Sequence, residues 1–191
     1  MKPSALPLLT AAALFLPACT QSLQAAWNPP SKATAHVKAG PYAVEPYHGQ
    51  VLFNVTHFGP TNDYGNFSRV SGMQSVSPKN SGGMSVSISV SVASIATTSI
   101  KLASTLKSAD WLDATGYPTM AFRSTTVTQT GADTADIAGT LTLHGVTKPP
   151  TLHAVFNGEG VNMLDHKDTL GFQLAGTLQR IDFDVSKYAP W

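Results

Sequence analysis

DWLDATGYPTMAFRSTTVTQTGADTADIAGTLTLHGVTKPPTLHAVF, residues 110–156, holds a short helix end, a Tyr117-Pro118 break and three apolar runs that alternate with a period of two. In the first run Met120, Phe122 and Ser124 share one face, while Ala121, Arg123 and Thr125 share the other. Gly131-Ala132-Asp133 supplies turn chemistry before Ile137, Gly139, Leu141 and Leu143 alternate with Asp136, Thr140, Thr142 and His144. A second break, from Gly145 to Pro150, precedes Leu152, Ala154 and Phe156. Alternation bounded by Gly, Pro and Asp predicts a meander of antiparallel strands with one buried face.

The same period recurs on both sides. MSVSISVSVASI, residues 84–95, sets Val86, Ile88, Val90 and Val92 against Ser85, Ser87, Ser89 and Ser91. A helix would scatter those valines round its circumference, and β-branched residues suit a pleated, half-buried wall, so a strand is expected. Val51, Phe53, Val55 and His57 share a face upstream, and a return strand is expected from Gly65 toward Gly72. Downstream, Leu170, Phe172, Leu174 and Gly176 alternate with Thr169, Gln173, Ala175 and Thr177. Between Thr97 and Leu112 the period changes, and Ile100, Leu102, Leu106 and Trp111 fit a short amphipathic helix lying over one end of the strands.

With these residues in view, LKSADWLDATGYPTMAFRST and GTLTLHGVTKP resemble the central motifs of the YceI-like family of bacterial periplasmic proteins. YAVEPYHGQVLFNVTHFGPTNDYGNF is similar to that family's opening hairpin. The resemblance implies an all-β, lipocalin-like antiparallel barrel that binds a polyisoprenoid or related amphiphile, such as a prenyl diphosphate or a quinone, in its interior. Ala103 stands where relatives often carry an acidic residue, and Asp184 stands where a Gly usually follows the Arg-x-x-Phe phrase of Arg180 to Phe183. Relatives continue with a last strand where this sequence reaches Trp191. A barrel open beside its first strand, from about Tyr42 to Tyr47, is therefore expected, with homodimerisation through that edge, sideways lipid access, or closure by the segment near His36 to Gly40 as the alternatives.

Composition narrows the function. The 191 residues carry 12 Lys and Arg against 11 Asp and Glu, a formal charge of +1 with no basic run, which argues against nucleic acid as a partner. Residues 1–26 are an export leader: Lys2 supplies the positive region, and Leu6 to Leu16 form an apolar stretch too short to span a bilayer. Leu16-Pro17-Ala18-Cys19 resembles a lipobox that would lipidate Cys19 and anchor the protein to a membrane, whereas Gln24-Ala25-Ala26 offers an ordinary cleavage site. Either reading exports the chain to the periplasm. Residues 27–40, with Pro29-Pro30 and no period, read as a linker, and the domain proper occupies 41–191.

No nucleophile elbow, P-loop, dinucleotide-binding glycine phrase or H-E-x-x-H occurs. His36, His48, His57, His144, His153 and His166 show no metal-ligand spacing, and the two glutamates, Glu45 and Glu159, have no carboxylate partner on their strand faces, so neither catalysis nor a metal or organic cofactor is expected. What the pattern supplies is an apolar interior, lined by Val51, Phe53, Val55, His57, Ile88, Val90, Met120, Phe122, Leu141, Leu143, Leu152, Phe156, Phe172 and Leu174. His57 is either a satisfied core histidine or a polar contact for a ligand head group. Arg180 is the second head-group candidate, since guanidinium suits phosphate or carbonyl oxygens. An eight-stranded barrel either fills with its own side chains or holds one slender ligand, and alternation does not separate the two. A lipid carrier, an enzyme acting on such a lipid, and a solid-cored module docking a membrane partner remain the competing functions.

Overall fold

The computed structural model describes residues 36–57, 59–78 and 81–188. The leader with Cys19, most of the 27–40 segment, the side chain of His57, and Trp191 lie outside the described residues. Eleven strands follow in chain order: β1 (Gly40–Ala43), β2 (Val51–His57), β3 (Thr61–Phe67), β4 (Val70–Val76), β5 (Ser85–Ser91), β6 (Ile95–Thr97), β7 (Thr119–Gln129), β8 (Thr134–Leu143), β9 (Val146–Lys148), β10 (Thr151–Val161) and β11 (Asp168–Ala175). Among the described residues the helix α1 (Ile100–Lys107) separates β6 from β7, and a 3₁₀ turn (Arg180–Phe183) follows β11.

The strands form a curled antiparallel half-barrel in the order β1-β4-β5-β7-β8-β10-β11, with β9 paired to β8. A separate sheet, β2-β3-β6, packs across it. The division falls at Ser68-Arg69, where the expected single return strand turns from β3 in one sheet to β4 in the other. Pro149-Pro150 makes a similar interruption. It splits what would be one strand into β9, opposite Leu141 to Leu143, and β10, opposite Thr134 to Ala138 on the same edge of β8. Proline has no N–H to give the ladder, so pairing stops there and restarts.

The expected inward parity holds along β5, where Val86 and Val90 are buried, and along β7 as far as Phe122. It then slips twice. Between Ser124 and Thr126 the β7–β8 register shifts, so that Val127 faces inward opposite Ile137. Ser124 Oγ accepts the Val86 N–H of β5 at 2.8 Å beside that bulge. Between Phe156 and Gly158 the β10–β11 register shifts in the same way. Each extra residue reverses the phase of everything beyond it.

The core has two parts that share Ile88. Val86, Phe122, Val127, Ile137 and Ala154 pack together with Leu141, Leu152 and Leu174 around them. Phe67, Val70, Val90 and Ile95 form the second, sealed by Val51, Phe53, Met120, Leu106 and Leu112. Phe122 lies over Gly139 of the neighbouring strand, where a Cβ would come 2.6 Å from the ring, so the absent side chain makes room for the aromatic. Helix α1 begins at Ile100, the first residue of the expected stripe, where Ser99 caps it by accepting the Leu102 N–H on its Oγ at 3.3 Å, but it ends at Lys107 and leaves Trp111 beyond it. Ile100, assigned to the apolar stripe, is 91% exposed, while Leu106 carries the contact with the core.

Candidate functional site

The two ends of the half-barrel are built differently. At the first, α1, the 110–118 segment and the chain after β11 come together. Phe183 and Val185 are buried there, Asp110 and Lys187 form an ion pair, and Trp111 lies 6.2 Å from Tyr188. Arg180 belongs to this closure. Its Nη1 donates to the carbonyl oxygens of Val185 at 2.6 Å and Lys187 at 2.9 Å, and the guanidinium sits 5.5 Å from the centre of the Trp111 ring. Arg180, the second head-group candidate, thus uses these donors to fold the C-terminal segment back onto the domain. His144 is also drawn into this end. At the close of β8 its φ of 51° turns it off the outward face expected from parity, against Tyr117 at 4.6 Å, with Nδ1 3.2 Å from the Phe183 carbonyl.

At the second end lie the β4–β5, β7–β8 and β10–β11 turns, and the sheet's two edge strands, β1 and β11, have no backbone pairing with each other among the described residues. Among the described residues the sheet is thus unpaired along the seam beside its first strand, and Lys38, from the segment expected as the alternative closure, lies there. Lys38, just before β1, reaches Asp168, the first residue of β11, at 2.6 Å. The hydrogen bond to Asp168, and then its charge, raise the Lys38 pKa against an opposing effect of burial, with Tyr42 and Glu159 adding to the rise. A raised lysine pKa means that this pairing favours the folded state below the unfolded-state value and is lost only as pH rises through the folded one. Tyr42 Oη donates to the Lys38 carbonyl at 3.0 Å and holds the segment in place.

The inner side chains along edge strand β11 are half-buried, and so are several on the middle strands. Leu170, Phe172 and Leu174 on β11 and Leu152 on β10 are only partly covered, as are Ile88, Leu141 and Leu143. Phe172 packs against buried Phe156 with 5.2 Å between ring centres and the rings tilted by 47°. Of the other expected lining residues, Val51, Phe53, Val90 and Met120 belong to the second cluster, under the small sheet. Val55 does not line the interior, being 46% exposed toward the tip of the β2–β3 hairpin, beyond that cluster. One residue that alternation missed lies on the inner face. The β10 bulge places Glu159 opposite Leu170, on the same side as Phe172 and Leu174, and Gly158 and Gly160 on either side are the sequence signal for that irregularity.

Two open surface clefts, of about 350 and 360 Å³, lie elsewhere, one between β6 and α1 and the other around Arg69, Ser71, Ser89 and Thr119. Neither is lined by the seam residues. Among the described residues no group of three or more His, Cys, Asp or Glu is arranged to hold a metal ion. The apolar concave face and its seam are the candidate site.

Residues 42–190 match the YceI-like domain. The chain belongs to the YceI-like family. A UPF0312 protein of Ectopseudomonas mendocina is 38% identical over 156 residues, covering 78% of each chain. Protein YceI of Shigella flexneri is 36% identical over 141 residues, covering 74% of this chain and 73% of that one. Among solved structures, the YceI protein of Campylobacter jejuni is 27% identical, with a TM-score of 0.61, across 76% of this chain and 85% of that chain. BcnA of Burkholderia cenocepacia shares the fold at 21% identity, with a TM-score of 0.64 across 72% of this chain and 82% of the other. The YceI-like fold here thus keeps the all-β, barrel-like architecture, with the Lys38–Asp168 ion pair linking the two sheet edges at one end.

Proposed function

We propose that this protein is an exported carrier that holds one isoprenoid-type amphiphile against the concave face, loading it through the β1–β11 seam. The observation that carries the reading is the half-buried apolar row Leu170, Phe172 and Leu174 on an edge strand, continuous through Leu152 with the packed interior. A filled core would leave such a row either covered by its partner edge or replaced by polar residues. Burial of a methylene is worth roughly 0.8 kcal/mol, so ten of them give about 8 kcal/mol, near micromolar affinity before ordering costs. Shape and apolar area suffice for a prenyl chain.

The polar groups at the seam favour one head group over another. Lys38 is matched by Asp168, and Glu159 adds a carboxylate on the inner face. A diphosphate would meet that excess of negative charge, whereas a quinone carbonyl needs only a donor, so the neutral head group is the better fit of the two. Native mass spectrometry of the protein purified from its own periplasm tests the reading. A co-purified mass matching a prenylated quinone is expected, and protein that arrives free of lipid under conditions preserving other carriers overturns it.

The ion pair gives a kinetic expectation. Lys38→Met should accelerate exchange of an apolar fluorescent probe several-fold without a change in melting temperature, because exposed pairs add little stability. High salt should bring the unsubstituted protein to the same rate and leave the variant unmoved. Identical exchange rates at every salt concentration would show that the pair does not gate the seam.

A further inference from the structure

The β10–β11 hairpin projects beyond the rest of the sheet. The last rung of β10 with β8 is Val155 opposite Thr134, after which Gly158 to Val161 of β10 pair only with Asp168 to Gly171 of β11. At about 3.3 Å per residue, the ribbon from residue 157 to 161 reaches about 16 Å past its neighbour. Its tip carries three exposed apolar side chains, Val161 at 60%, Met163 at 70% and Leu164 at 94%, followed by exposed Asp165, His166 and Lys167. No core claims these side chains, and they stand at the end of the molecule where Lys38 ties the seam.

We propose that this tip is a membrane-contact prong that seats Met163 and Leu164 among the head groups and upper acyl chains of an uncharged bilayer surface. Three features fit that occupant. The turn satisfies much of its own backbone, which lowers the cost of leaving water: Asn162 N–H donates to the Lys167 carbonyl at 2.9 Å and His166 N–H to the Asn162 carbonyl at 2.8 Å. Leu164 N–H donates to Asn162 Oδ1 at 2.9 Å and Lys167 N–H to Asp165 Oδ1 at 3.3 Å. The nearby charges pair off, Lys167 with Asp165 at 3.1 Å and Lys38 with Asp168, with Glu159 as one further carboxylate, so an anionic surface is not favoured. Finally, three side chains on a ribbon tip fall far below the ~800 Å² per partner of a stable protein interface, whereas shallow insertion into a bilayer needs no complementary surface.

The proposal rests on the lipid-carrier reading for its purpose, as the prong would hold the seam against the membrane that supplies the lipid. Its test does not depend on that reading. In the full chain, Leu164→Trp is compared with Tyr47→Trp, an 89% exposed position in the β1–β2 connection at the other end of the half-barrel. On adding phosphatidylcholine vesicles, the Leu164→Trp emission should shift to the blue and be quenched by bromine on the acyl chains, with neither effect for Tyr47→Trp. Met163→Asp combined with Leu164→Asp should weaken partitioning to those vesicles by roughly tenfold or more. Unchanged Leu164→Trp emission, a response confined to vesicles containing phosphatidylglycerol, or undiminished binding of the double variant would each overturn the prong. Loss of the vesicle signal with a lipid still co-purifying removes the prong and leaves the carrier; vesicle binding by protein that never holds a lipid does the reverse.

Discussion

Val90→Asp is expected to abolish the cooperative unfolding transition of the domain. Val90 is 5% exposed, on β5 opposite Val70 and Met120, and packs with Phe67 and Ile95 where the small sheet meets the half-barrel. An unpaired carboxylate there costs several kcal/mol, whether it stays ionised or takes up a proton, against a total stability of about 5–15 kcal/mol for an ordinary domain. Ser85→Asp is the control, on the exposed outer face of the same strand. It should leave the melting temperature within a few degrees, because exposed substitutions away from special features are worth about 0.5 kcal/mol or less. Thermal unfolding followed by circular dichroism checks both. Equal tolerance of the two substitutions would mean that β5 does not bury the face assigned to it.

That pair of variants marks what the sequence makes legible. A strand such as SVSISVS states its buried face in its own residues, since the side-chain period of two leaves one consistent assignment. Phe122, Ile137 and Ala154 are read correctly for the same reason, and the motifs around them identify the family. The illegible parts are those where a local irregularity reverses the count. Nothing in Ser124-Thr125-Thr126 announces a bulge, yet it turns Val127 inward; Asn157 does the same to Glu159, and there only the flanking glycines give warning. Arg180 is illegible for another reason. Its residue type suits a head group, but carbonyls only five and seven residues further on take its donors, and local backbone partners of that kind leave no trace in a pattern of apolar spacing. The division into two sheets was likewise hidden, because Ser68-Arg69 is a polar step between two good strands that alternation reads as continuous.

Leu174→Glu is expected to separate binding from folding. Leu174 lies opposite Ala154 and packs against the first core cluster, yet it stands on an edge strand and is only half-buried. In the empty protein a glutamate at this position turns its carboxylate out through the seam to water, so the domain stays folded with a smaller loss of melting temperature than Val90→Asp suffers. A bound prenyl chain lying along β11 would bury that carboxylate without a partner, and a penalty of about 3 kcal/mol corresponds to a loss of roughly a hundredfold in affinity. Gln173→Glu places the same charge one residue away on the exposed outer face, where it should leave affinity within about twofold. Titration with an apolar fluorescent probe, together with native mass spectrometry of each purified variant, measures the difference. A folded Leu174→Glu protein that still carries its lipid would move the binding face away from β11 and the seam, whereas equal losses in both variants would assign the effect to charge alone rather than to contact with the chain.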